Sequence, residues 1–451
     1  MQIRKCHGAL AGNAIGIEPS NNLIDKLQAV PQFRIVNMKR IRLLRAFAAG
    51  FLPATRLPGD LMKNDVSGRL GNRVWVSCIG MLAAGLVSWA VPRAHAGLSR
   101  KEAETRQAQL WQERAVALKQ ERAGEVEARR ITLGDKTMPW LEKVFGETPT
   151  NGRSLWVSMH GGGNATKAVN DQQWSNQIKL YQPAEGIYLA PRAPTDTWNL
   201  WHESHIDVFF DRLIEDFVAV RGVNPNRVYI MGYSAGGDGV WQLAPRMADR
   251  WAAAAMMAGH PNDAPLLPLR NLPFAAFVGG ADSAYNRNTI VAERIAELDR
   301  LQKDDPGGYD HLGRVYPGLP HWMNGKDAEA VPWMLSKTRN PWPKKVVWVQ
   351  STVTHMRYYW LGVPAAEAKA GKKIIAEVSG QKIKLCGDVP QGMVLWLSDE
   401  LLDLDNYVMV EFEGREIFRG RVVRTEEAIR ESLAERADPD CTAKAKLVVQ
   451  P

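Results

Sequence analysis

Five short apolar runs alternate with helix-like stretches in the middle of the chain, and this alternation constrains the fold more than any other feature of the sequence. The runs occupy residues 154–160, 186–191, 227–232, 252–259 and 274–280. Uninterrupted apolar runs of this length are typical of strands that are buried on both faces. The segment 207–222 has the spacing of an amphipathic helix that ends at Gly222. Strands that alternate with helices predict an α/β domain with a mainly parallel sheet flanked by helices.

The pattern of apolar and polar residues is different on either side of this region. Residues 99–132 open with a capping box, Ser99 and Glu102, and predict a solvated helix, whose packing residues would be Leu110, Trp111, Ala115 and Leu118. Beyond the Pro-Trp-Pro segment at 341–343, apolar and polar residues alternate between turn signals, interrupted by one helix-like segment at 426–437. This pattern predicts a small antiparallel β-sandwich, which the Pro-Trp-Pro linker holds apart from the first domain.

The net charge of +8 does not indicate a nucleic-acid partner, because the charge is unevenly distributed. Residues 1–96 contain 13 lysines and arginines against 4 acidic residues, whereas residues 97–451 contain 44 against 45. The larger part of the chain is therefore close to neutral, and we expect no binding of nucleic acid.

Residues 62–96 have the three parts of a secretory signal. A basic flank ends at Arg73, an apolar run extends from Val74 to Val91, and Ala94-His95-Ala96 offers a cleavage site. We expect export to the periplasm or the medium, with Met62 as the true start and no membrane anchor after cleavage. The alternative is an uncleaved anchor, since the apolar run is just long enough to span a bilayer.

The resulting domain prediction has five parts, in a chain long enough for two globular domains. They are a mis-assigned extension at 1–61, a signal peptide at 62–96, an N-terminal helical segment at 97–140, an α/β catalytic domain at 141–342 and a C-terminal β-sandwich at 343–451.

Two of the four cysteines, Cys6 and Cys78, fall in the part that we expect to be removed. The other two, Cys386 and Cys441, lie in one region of an exported chain, where they could form a disulfide or remain two separate buried thiols. No CxxC pair or close Cys/His cluster suggests a zinc site, and we expect no metal.

The strongest chemical signal is Gly232-Tyr233-Ser234-Ala235-Gly236, a G-x-S-x-G motif between the strand RVYIM and a helix that starts near Gly237. A serine on such a sharp turn projects above the sheet, and the surrounding residues must be small. The helix that follows favours negative charge at its first turn. The alternative is a purely structural turn, but the flanking strand and helix favour a nucleophile.

A second motif, MHGGGNA at 159–165, follows the first strong strand. Glycines let backbone N–H groups approach a substrate without an intervening Cβ, as an oxyanion hole requires. Gly161 and Gly162 are therefore candidates for one donor, and the N–H of Ala235 is the candidate for the other.

A nucleophilic serine needs a base and a carboxylate that orients the base. Asp282 ends the apolar run FAAFVGGAD, and His321 lies on a later loop after a Gly-Leu-Pro turn. We prefer His321 to His311 because the setting of His311 lacks that turn. Asp207, Asp211 and Asp238 are interpreted as surface or capping carboxylates.

Further side chains are candidates for binding substrate around the same edge of the sheet. Trp198, Trp201 and His202 lie on the loop after the run GIYLAP, where tryptophans could equally be core anchors. The remaining candidates are His260, Asn286, Arg287 and Trp322.

On these residues the region 150–340 resembles the α/β-hydrolase superfamily, and within it the secreted esterases that include polyhydroxybutyrate depolymerases and feruloyl or acetylxylan esterases. There too GYSAGG is followed by a helix and by a strand that ends in a small-residue AG, as in WAAAAMMAG. The resemblance implies the α/β-hydrolase fold, a Ser-His-Asp triad, an acyl-enzyme intermediate and no metal or organic cofactor. HGGG is more typical of hormone-sensitive-lipase-like esterases and Tyr233 of depolymerase-like and peptidase-like branches, so the substrate class stays open. The C-terminal sandwich looks like the accessory domains of exported bacterial hydrolases.

The leading hypothesis is an exported serine hydrolase that cleaves small-molecule or polymeric carboxylic esters. One alternative is a serine peptidase of the prolyl-oligopeptidase type, which shares the fold and the triad. The other is a polymer-binding protein with an inactive hydrolase domain, whose sandwich makes the contact.

Overall fold

The computed structural model of the protein describes residues 97–451. The predicted N-terminal extension, the predicted signal peptide and Cys6 and Cys78 lie outside these residues. Across residues 97–451, no helix combines the length and the apolar content that a membrane span requires.

Eight strands form the main sheet. They are β1 (Arg130–Leu133), β2 (Lys136–Phe145), β3 (Arg153–Met159), β4 (Gly186–Pro191), β5 (Val223–Tyr233), β6 (Ala253–Met257), β7 (Phe274–Gly279) and β8 (His311–Tyr316). Their spatial order is β1-β2-β4-β3-β5-β6-β7-β8. Strand β2 is antiparallel to both of its neighbours, and the six strands from β4 to β8 in the sheet are parallel. This topology is the α/β-hydrolase fold, as predicted.

The five predicted strands are confirmed as β3 to β7, whereas β1, β2 and β8 are additions. These three strands lie toward the two edges of the sheet, where residues are partly exposed and the sequence carries charges among the apolar residues. Half-exposed strands lack the uninterrupted apolar run that marks a buried one. The predicted boundary between residues 140 and 141 consequently falls inside β2.

Seven α-helices accompany the sheets in the described part of the chain. They are α1 (Arg100–Ala128), α2 (Lys167–Gln177), α3 (Ser204–Arg221), α4 (Ala235–Arg246), α5 (Arg287–Asp304), α6 (Ala330–Leu335) and α7 (Glu426–Glu435). Helix α1 begins with the predicted capping box, in which the Ser99 side chain accepts from the N–H of Glu102 and the Glu102 carboxylate accepts from the N–H of Ser99. Helix α3 ends where Gly222 adopts a left-handed conformation, as the sequence predicts.

Helix α1 is more than a solvated helix, because it contacts both the region of the main sheet (residues 130–342, the hydrolase half) and the region of the two smaller sheets (residues 343–451, the C-terminal half). Arg122 pairs with Glu215 of α3 at 2.8 Å, and Arg106 pairs with Glu426 of α7 at 2.7 Å. The buried side of α1 includes Leu110 and Leu118, as predicted.

The C-terminal half consists of two smaller sheets. One has the order β10-β11-β14-β17 and the other the order β16-β15-β13-β12-β9. Their strands are β9 (Lys345–Val349), β10 (Arg357–Tyr358), β11 (Leu361–Gly362), β12 (Lys373–Ser379), β13 (Lys382–Gly387), β14 (Met393–Leu397), β15 (Val408–Phe412), β16 (Arg415–Gly420) and β17 (Ala445–Val449). All pairs are antiparallel except β13 and β15, which are parallel. A C-terminal β-rich region is therefore present, with one pair that departs from a purely antiparallel sandwich.

The Pro-Trp-Pro segment does not hold the two halves apart. One hydrophobic core cluster runs from Ile131 in β1 to Val449 in β17 without a break. Trp342 is buried, and its indole N–H donates to the carbonyl of Asp440 at 2.9 Å. Our expectation of a separating linker is thus wrong, because the apolar faces of the two halves cover one another.

Cys386 lies in β13 and Cys441 in a short 3-10 helix, Pro439–Cys441. Both side chains are buried, and Cys441 is a free thiol, so the two cysteines are not joined to one another. Burial raises the pKa of the Cys441 thiol.

Candidate active site

Ser234 occupies the sharp junction between β5 and α4. Its backbone has φ 56° and ψ −120°, a strained region for a residue with a Cβ. The junction closes tightly because its glycines touch backbone: a Cβ on Gly232 would lie 2.3 Å from the carbonyl oxygen of Gly236, and a Cβ on Gly236 would lie 2.2 Å from that of Met159. The motif therefore has small residues because the chain has no room for others.

The structure brings Ser234, His321 and Asp282 into one hydrogen-bonded series. Nε2 of His321 lies 3.0 Å from Oγ of Ser234, and Nδ1 of His321 lies 2.7 Å from Oδ2 of Asp282. The Asp282 side chain is 2% exposed, whereas the ring of His321 is 40% exposed. The carboxylate is therefore shielded from water, whereas the imidazole ring is partly exposed.

The loop that carries His321 is fixed by a residue of the G-x-S-x-G motif itself. The hydroxyl of Tyr233 donates to the carbonyl of His321 at 2.6 Å and accepts from the N–H of Met323 at 3.2 Å. Burial raises the pKa of Tyr233, which keeps this hydroxyl protonated and able to donate. The residue before the serine thus holds the loop that carries His321, a contact that we did not predict.

Asp282 is held by the turn after β7 and by the start of α5. The N–H of Asn288 donates to the backbone carbonyl of Asp282 at 3.0 Å, and the Asn288 amide donates to the carbonyl of Gly280 at 2.9 Å. Arg287 places Nη1 3.5 Å from Oδ1 of Asp282, and its guanidinium lies 4.9 Å from the centre of the Tyr285 ring. Arg287 therefore faces the carboxylate rather than open solvent.

The glycine loop after β3 lies against the serine. A Cβ built on Gly161 would be 3.2 Å from Cβ of Ser234. Gly162 has φ 108°, so the loop takes a path that few other residues could follow. The N–H of Ala235 belongs to the first residue of α4, where it has no acceptor within the helix. Gly161 and Ala235 therefore lie beside Ser234, whereas the position of a Cβ on Gly162 faces the side chain of Asn170.

Two buried polar side chains brace this loop. His160 places Nδ1 2.6 Å from the carbonyl of Gly161 and accepts from the N–H of Ala193 at its Nε2, 3.2 Å away. Burial lowers the pKa of His160 to about 4, so the ring is neutral and uses one nitrogen as donor and the other as acceptor. Asn170 accepts from the N–H of Gly163 at 2.9 Å. Asn170 had no recognisable signal in the sequence.

Some of the predicted aromatic residues are exposed at the surface, and one is buried in the hydrophobic core. Trp198 is 61% exposed and Trp322 is 48% exposed, and Trp322 packs 5.6 Å from the ring of Tyr233. His202 packs edge-on against Trp198 at 5.5 Å, and burial lowers the pKa of its ring to about 4. Trp201 is instead fully buried, and its indole N–H donates to the carbonyl of His160 at 2.9 Å. Trp201 is therefore a core anchor, the alternative interpretation of that loop.

The other predicted binding residues lie at the edges of the site. The His260 N–H donates to the Asp238 carboxylate at 2.6 Å, and its ring accepts from the N–H of Asn262 at 2.9 Å. Asn286 is exposed and caps α5 in a left-handed conformation. Burial raises the pKa of Asp238 to about 6. The structure thus gives His260 local structural contacts, whereas the Asn286 side chain makes no capping hydrogen bond to α5.

The rejected candidates lie in other settings. His311 is in β8, where its ring contacts Asp299 at 3.0 Å and the carbonyl of Tyr309 at 2.8 Å. Asp207 is buried and pairs with Arg246, so its interpretation as a surface or capping carboxylate is wrong, whereas Asp211 pairs with Arg250. None of these three belongs to the hydrogen-bonded series at Ser234.

No protein-family model matches the chain. A curated protein from Nocardia uniformis subsp. tsuyamanensis, named "Putative esterase NocK", is 27% identical over 169 residues, which cover 34% of this chain and 48% of that protein. The chain thus spans about half the length of this curated relative.

Several solved structures are similar to parts of the chain. A thermostable esterase is 20% identical with a TM-score of 0.38 and covers 47% of this chain and 62% of its own. The poly(3-hydroxybutyrate) depolymerase LpqC from Bordetella parapertussis is 16% identical with a TM-score of 0.34, covering 47% of this chain and 96% of its own. The dienelactone hydrolase from Anabaena variabilis is 16% identical with a TM-score of 0.35, covering 47% and 97%.

The strand order of the main sheet and the strand–serine–helix junction define the fold independently of these similarities. The chain has the α/β-hydrolase fold and resembles the esterases and depolymerases of that superfamily.

Proposed function

We propose that this protein is an exported serine hydrolase that cleaves carboxylic esters. The observation that carries the proposal is the series Ser234–His321–Asp282, with 3.0 Å between hydroxyl and ring and 2.7 Å between ring and carboxylate. A hydroxyl within hydrogen-bonding distance of an imidazole, itself oriented by a buried carboxylate, is the arrangement that activates a serine.

The first half of the reaction forms an acyl-enzyme. Oγ of Ser234 attacks the carbonyl carbon while Nε2 of His321 takes its proton, and the carboxylate of Asp282 stabilises the resulting imidazolium. The N–H groups of the glycine loop and of Ala235 bind the negative oxygen of the tetrahedral intermediate. The imidazolium then protonates the leaving alcohol, and the acyl group stays on Ser234.

The second half repeats these steps with water. His321 removes a proton from a water molecule, the hydroxide attacks the acyl carbon, and the acid product leaves as Ser234 regains its proton. The chain's own groups suffice for each of these proton transfers.

The substrate assignment rests on similarity in addition to geometry. The relatives above are named as esterases, a depolymerase and a dienelactone hydrolase. We extend ester hydrolysis to this chain, with the exposed rings of Trp198 and Trp322 as the surfaces that an acyl or alcohol group would meet.

A fluorophosphonate probe tests the nucleophile directly. We expect stoichiometric labelling of the wild type, no labelling of Ser234→Ala and normal labelling of Ser175→Ala, a serine of helix α2. Ser234→Ala should also stop hydrolysis of p-nitrophenyl acetate and butyrate. Retained labelling or turnover in pure Ser234→Ala protein would overturn the assignment.

Two further measurements test the finer parts of the proposal. Ester substrates should be cleaved much faster than amide substrates with the same acyl group, and efficient amide cleavage would indicate a peptidase instead.

Export predicts that protein recovered from the periplasm or medium of a bacterial host begins at Gly97. Recovery of the uncleaved chain in the cytoplasm would contradict export.

A further inference from the structure

A chain of four polar groups joins the C-terminal half to the loop beside Ser234. Nε2 of His355, in the connection between β9 and β10, donates to Oδ2 of Asp207 in α3 at 2.8 Å. Oδ1 of the same carboxylate accepts from Nη2 of Arg246, the last residue of α4, at 2.6 Å. Nη1 of Arg246 donates to the backbone carbonyl of His202 at 3.2 Å.

The middle of this chain is buried. The side chains of Asp207 and Arg246 are 3% and 2% exposed. Nε of Arg246 has no hydrogen-bond partner among the described residues, so the guanidinium is oriented by the groups that its other two nitrogens contact. Because a buried ion pair depends strongly on its geometry and on its further hydrogen bonds, a change at Asp207 is expected to reach Arg246.

His355 is itself held in place before it meets Asp207. The Gln350 amide donates to the carbonyl of His355 at 2.6 Å and accepts from the N–H of His355 at 3.0 Å. The two bonds close a rigid turn of the C-terminal half around one imidazole. The Gln350 amide therefore fixes the backbone of His355, and the hydrogen bond to Asp207 orients the ring.

The other end of the chain of contacts is the site loop, residues 192–203 between β4 and α3. The ring of His202 packs against Trp198 at 5.5 Å. The carbonyls of Trp198 and Thr197 border the glycine loop, 3.1 and 3.2 Å from the position of a Cβ on Gly163. A shift of the His202 carbonyl thus extends to the exposed Trp198 ring and to the loop that faces Ser234.

We propose that His355 is a positioning residue for the ester-binding side of the active site. It acts through Asp207 and Arg246 on the backbone of His202 and so fixes Trp198, which rests on the proposed function of the site. On this proposal the C-terminal half completes the substrate-binding surface and is not an independent binding module. None of these contacts involves Ser234, His321 or Asp282, and we expect the geometry of these three residues to stay unchanged.

The main test is His355→Ala, compared with His355→Gln, whose amide keeps an N–H donor. We expect His355→Ala to raise KM for a p-nitrophenyl ester with a bulky acyl group by roughly fivefold, the size typical of indirect coupling. The kcat for p-nitrophenyl acetate and the rate of fluorophosphonate labelling should stay within about twofold. His355→Gln should bring KM most of the way back to the wild-type value. If His355→Ala does not fold, His355→Leu takes its place.

A matched control removes a comparable ion pair that is remote from the site loop. Asp399 and Arg424 form a 2.6 Å pair within the C-terminal half, with side chains 1% and 4% exposed. Asp399→Asn should lower the thermal midpoint at least as much as His355→Ala and leave KM unchanged. Equal KM changes in the two variants would mean that His355 acts only through stability, and the proposal would fail.

A double-mutant cycle tests the route through Trp198. If His355 acts by fixing this ring, His355→Ala in a Trp198→Ala background should change KM for the bulky ester by less than about 1.5-fold. Additive effects would overturn the route.

Hydrogen exchange gives a readout that does not need turnover. Amides of the site loop should exchange faster in His355→Ala than in Asp399→Asn, and unchanged exchange would contradict the proposal. If the wild type shows no ester hydrolysis, the proposed function fails while the exchange result still reports on the contact. If the wild type is active and neither KM nor exchange responds to His355→Ala, only this inference fails.

Discussion

The junction around Ser234 and the interface between the two halves are both buried, but different chemical groups make the contacts in each. At the junction, backbone meets backbone: a Cβ on Gly232 would lie within 3 Å of a carbonyl of helix α4, and a Cβ on Gly236 or Gly237 would lie within 3 Å of a carbonyl of a neighbouring strand. At the interface, buried charges meet: Arg339 pairs with Asp438 at 2.6 Å, with both side chains 2% exposed.

The two regions differ in how far apart in the sequence the residues that form them lie. The junction is encoded within a few consecutive residues, because a strand, small residues and a helix suffice to form it. The interface joins residues about one hundred positions apart or more, such as Asp249 with Arg436, and neither partner is marked in the sequence. The junction can therefore be predicted from a motif, whereas the contacts of the interface become evident only in the folded structure.

The largest effect is expected from Ser234→Gly, which separates activity from stability at the junction. Turnover of p-nitrophenyl butyrate should fall by about four orders of magnitude or more, because the nucleophile is lost. The free energy of unfolding should rise by about 1 kcal/mol, because glycine relieves the strain at φ 56°. Denaturant titration beside the activity assay checks both, and a less stable variant would show that the serine conformation carries no strain.

At the interface, Asp438→Asn should lower the free energy of unfolding and leave the catalytic rate unchanged. Arg339 would remain buried with a weakened partner, and we expect a loss of about 3–5 kcal/mol in the free energy of unfolding. The kcat of the folded fraction should be unchanged. The control is Glu377→Gln, an exposed carboxylate of strand β12 in the same half, which should change stability by less than about 0.5 kcal/mol. A small loss for Asp438→Asn would show that this ion pair does not stabilise the interface.

Gly236→Ala tests whether the junction is as tight as its distances indicate. The added methyl would lie 2.2 Å from the carbonyl oxygen of Met159, so the strand or the helix must shift at a cost of roughly 1–3 kcal/mol, with a loss of turnover. Gly124→Ala is the matched control, since no atom lies within 4 Å of its Cβ position in helix α1, and it should stabilise by about 0.5–1 kcal/mol. Thermal unfolding of both variants decides the comparison; similar shifts would mean that the junction is not close-packed.

The two regions should also differ in the sign of their pH dependence. Burial raises the pKa of Asp238, at the junction, to about 6, so its contribution to stability is present below its unfolded pKa and is lost as pH rises through 6. Burial opposes ionisation of Asp438 as well, but attraction to Arg339 outweighs it and lowers the pKa to about 2. The Asp438 contribution is therefore present above its unfolded pKa and is lost as pH falls toward 2.

Chemical unfolding at a series of pH values measures this pair of effects. Relative to wild type, Asp238→Asn should gain stability between pH 4 and pH 7, whereas the deficit of Asp438→Asn should shrink as pH falls from 4 to 2. Slopes of the same sign in the two variants would contradict the assignment of the two carboxylates.

The central part of the fold was accessible from the sequence for a physical reason. Strands β3 to β7 are buried on both faces and therefore apolar throughout, and the serine junction is a local motif. The edge strands β1, β2 and β8 were not predicted, because their exposed faces carry charges that interrupt the pattern.

The site was accessible only in part. The residue types and the chain order led to the serine, acid and base that the structure brings together. Tyr233 and Asn170 were missed, because each acts by a hydrogen bond to backbone that folding alone brings near. Trp201 was left undecided, because one aromatic residue in a loop carries no sign of whether it faces the core or the solvent.

The shared core has a consequence for synthesis of the chain. Tyr358 and Tyr359 donate their hydroxyls to the carbonyls of Pro268 and Ala248, and Ala437 donates its N–H to Glu215 of α3. A nascent chain that has emerged only as far as the last strand of the main sheet still lacks these partners. Helix α3 and the segments that follow α4 are therefore completed late, and hydrolytic competence should arise only after the C-terminal strands have folded against the main sheet.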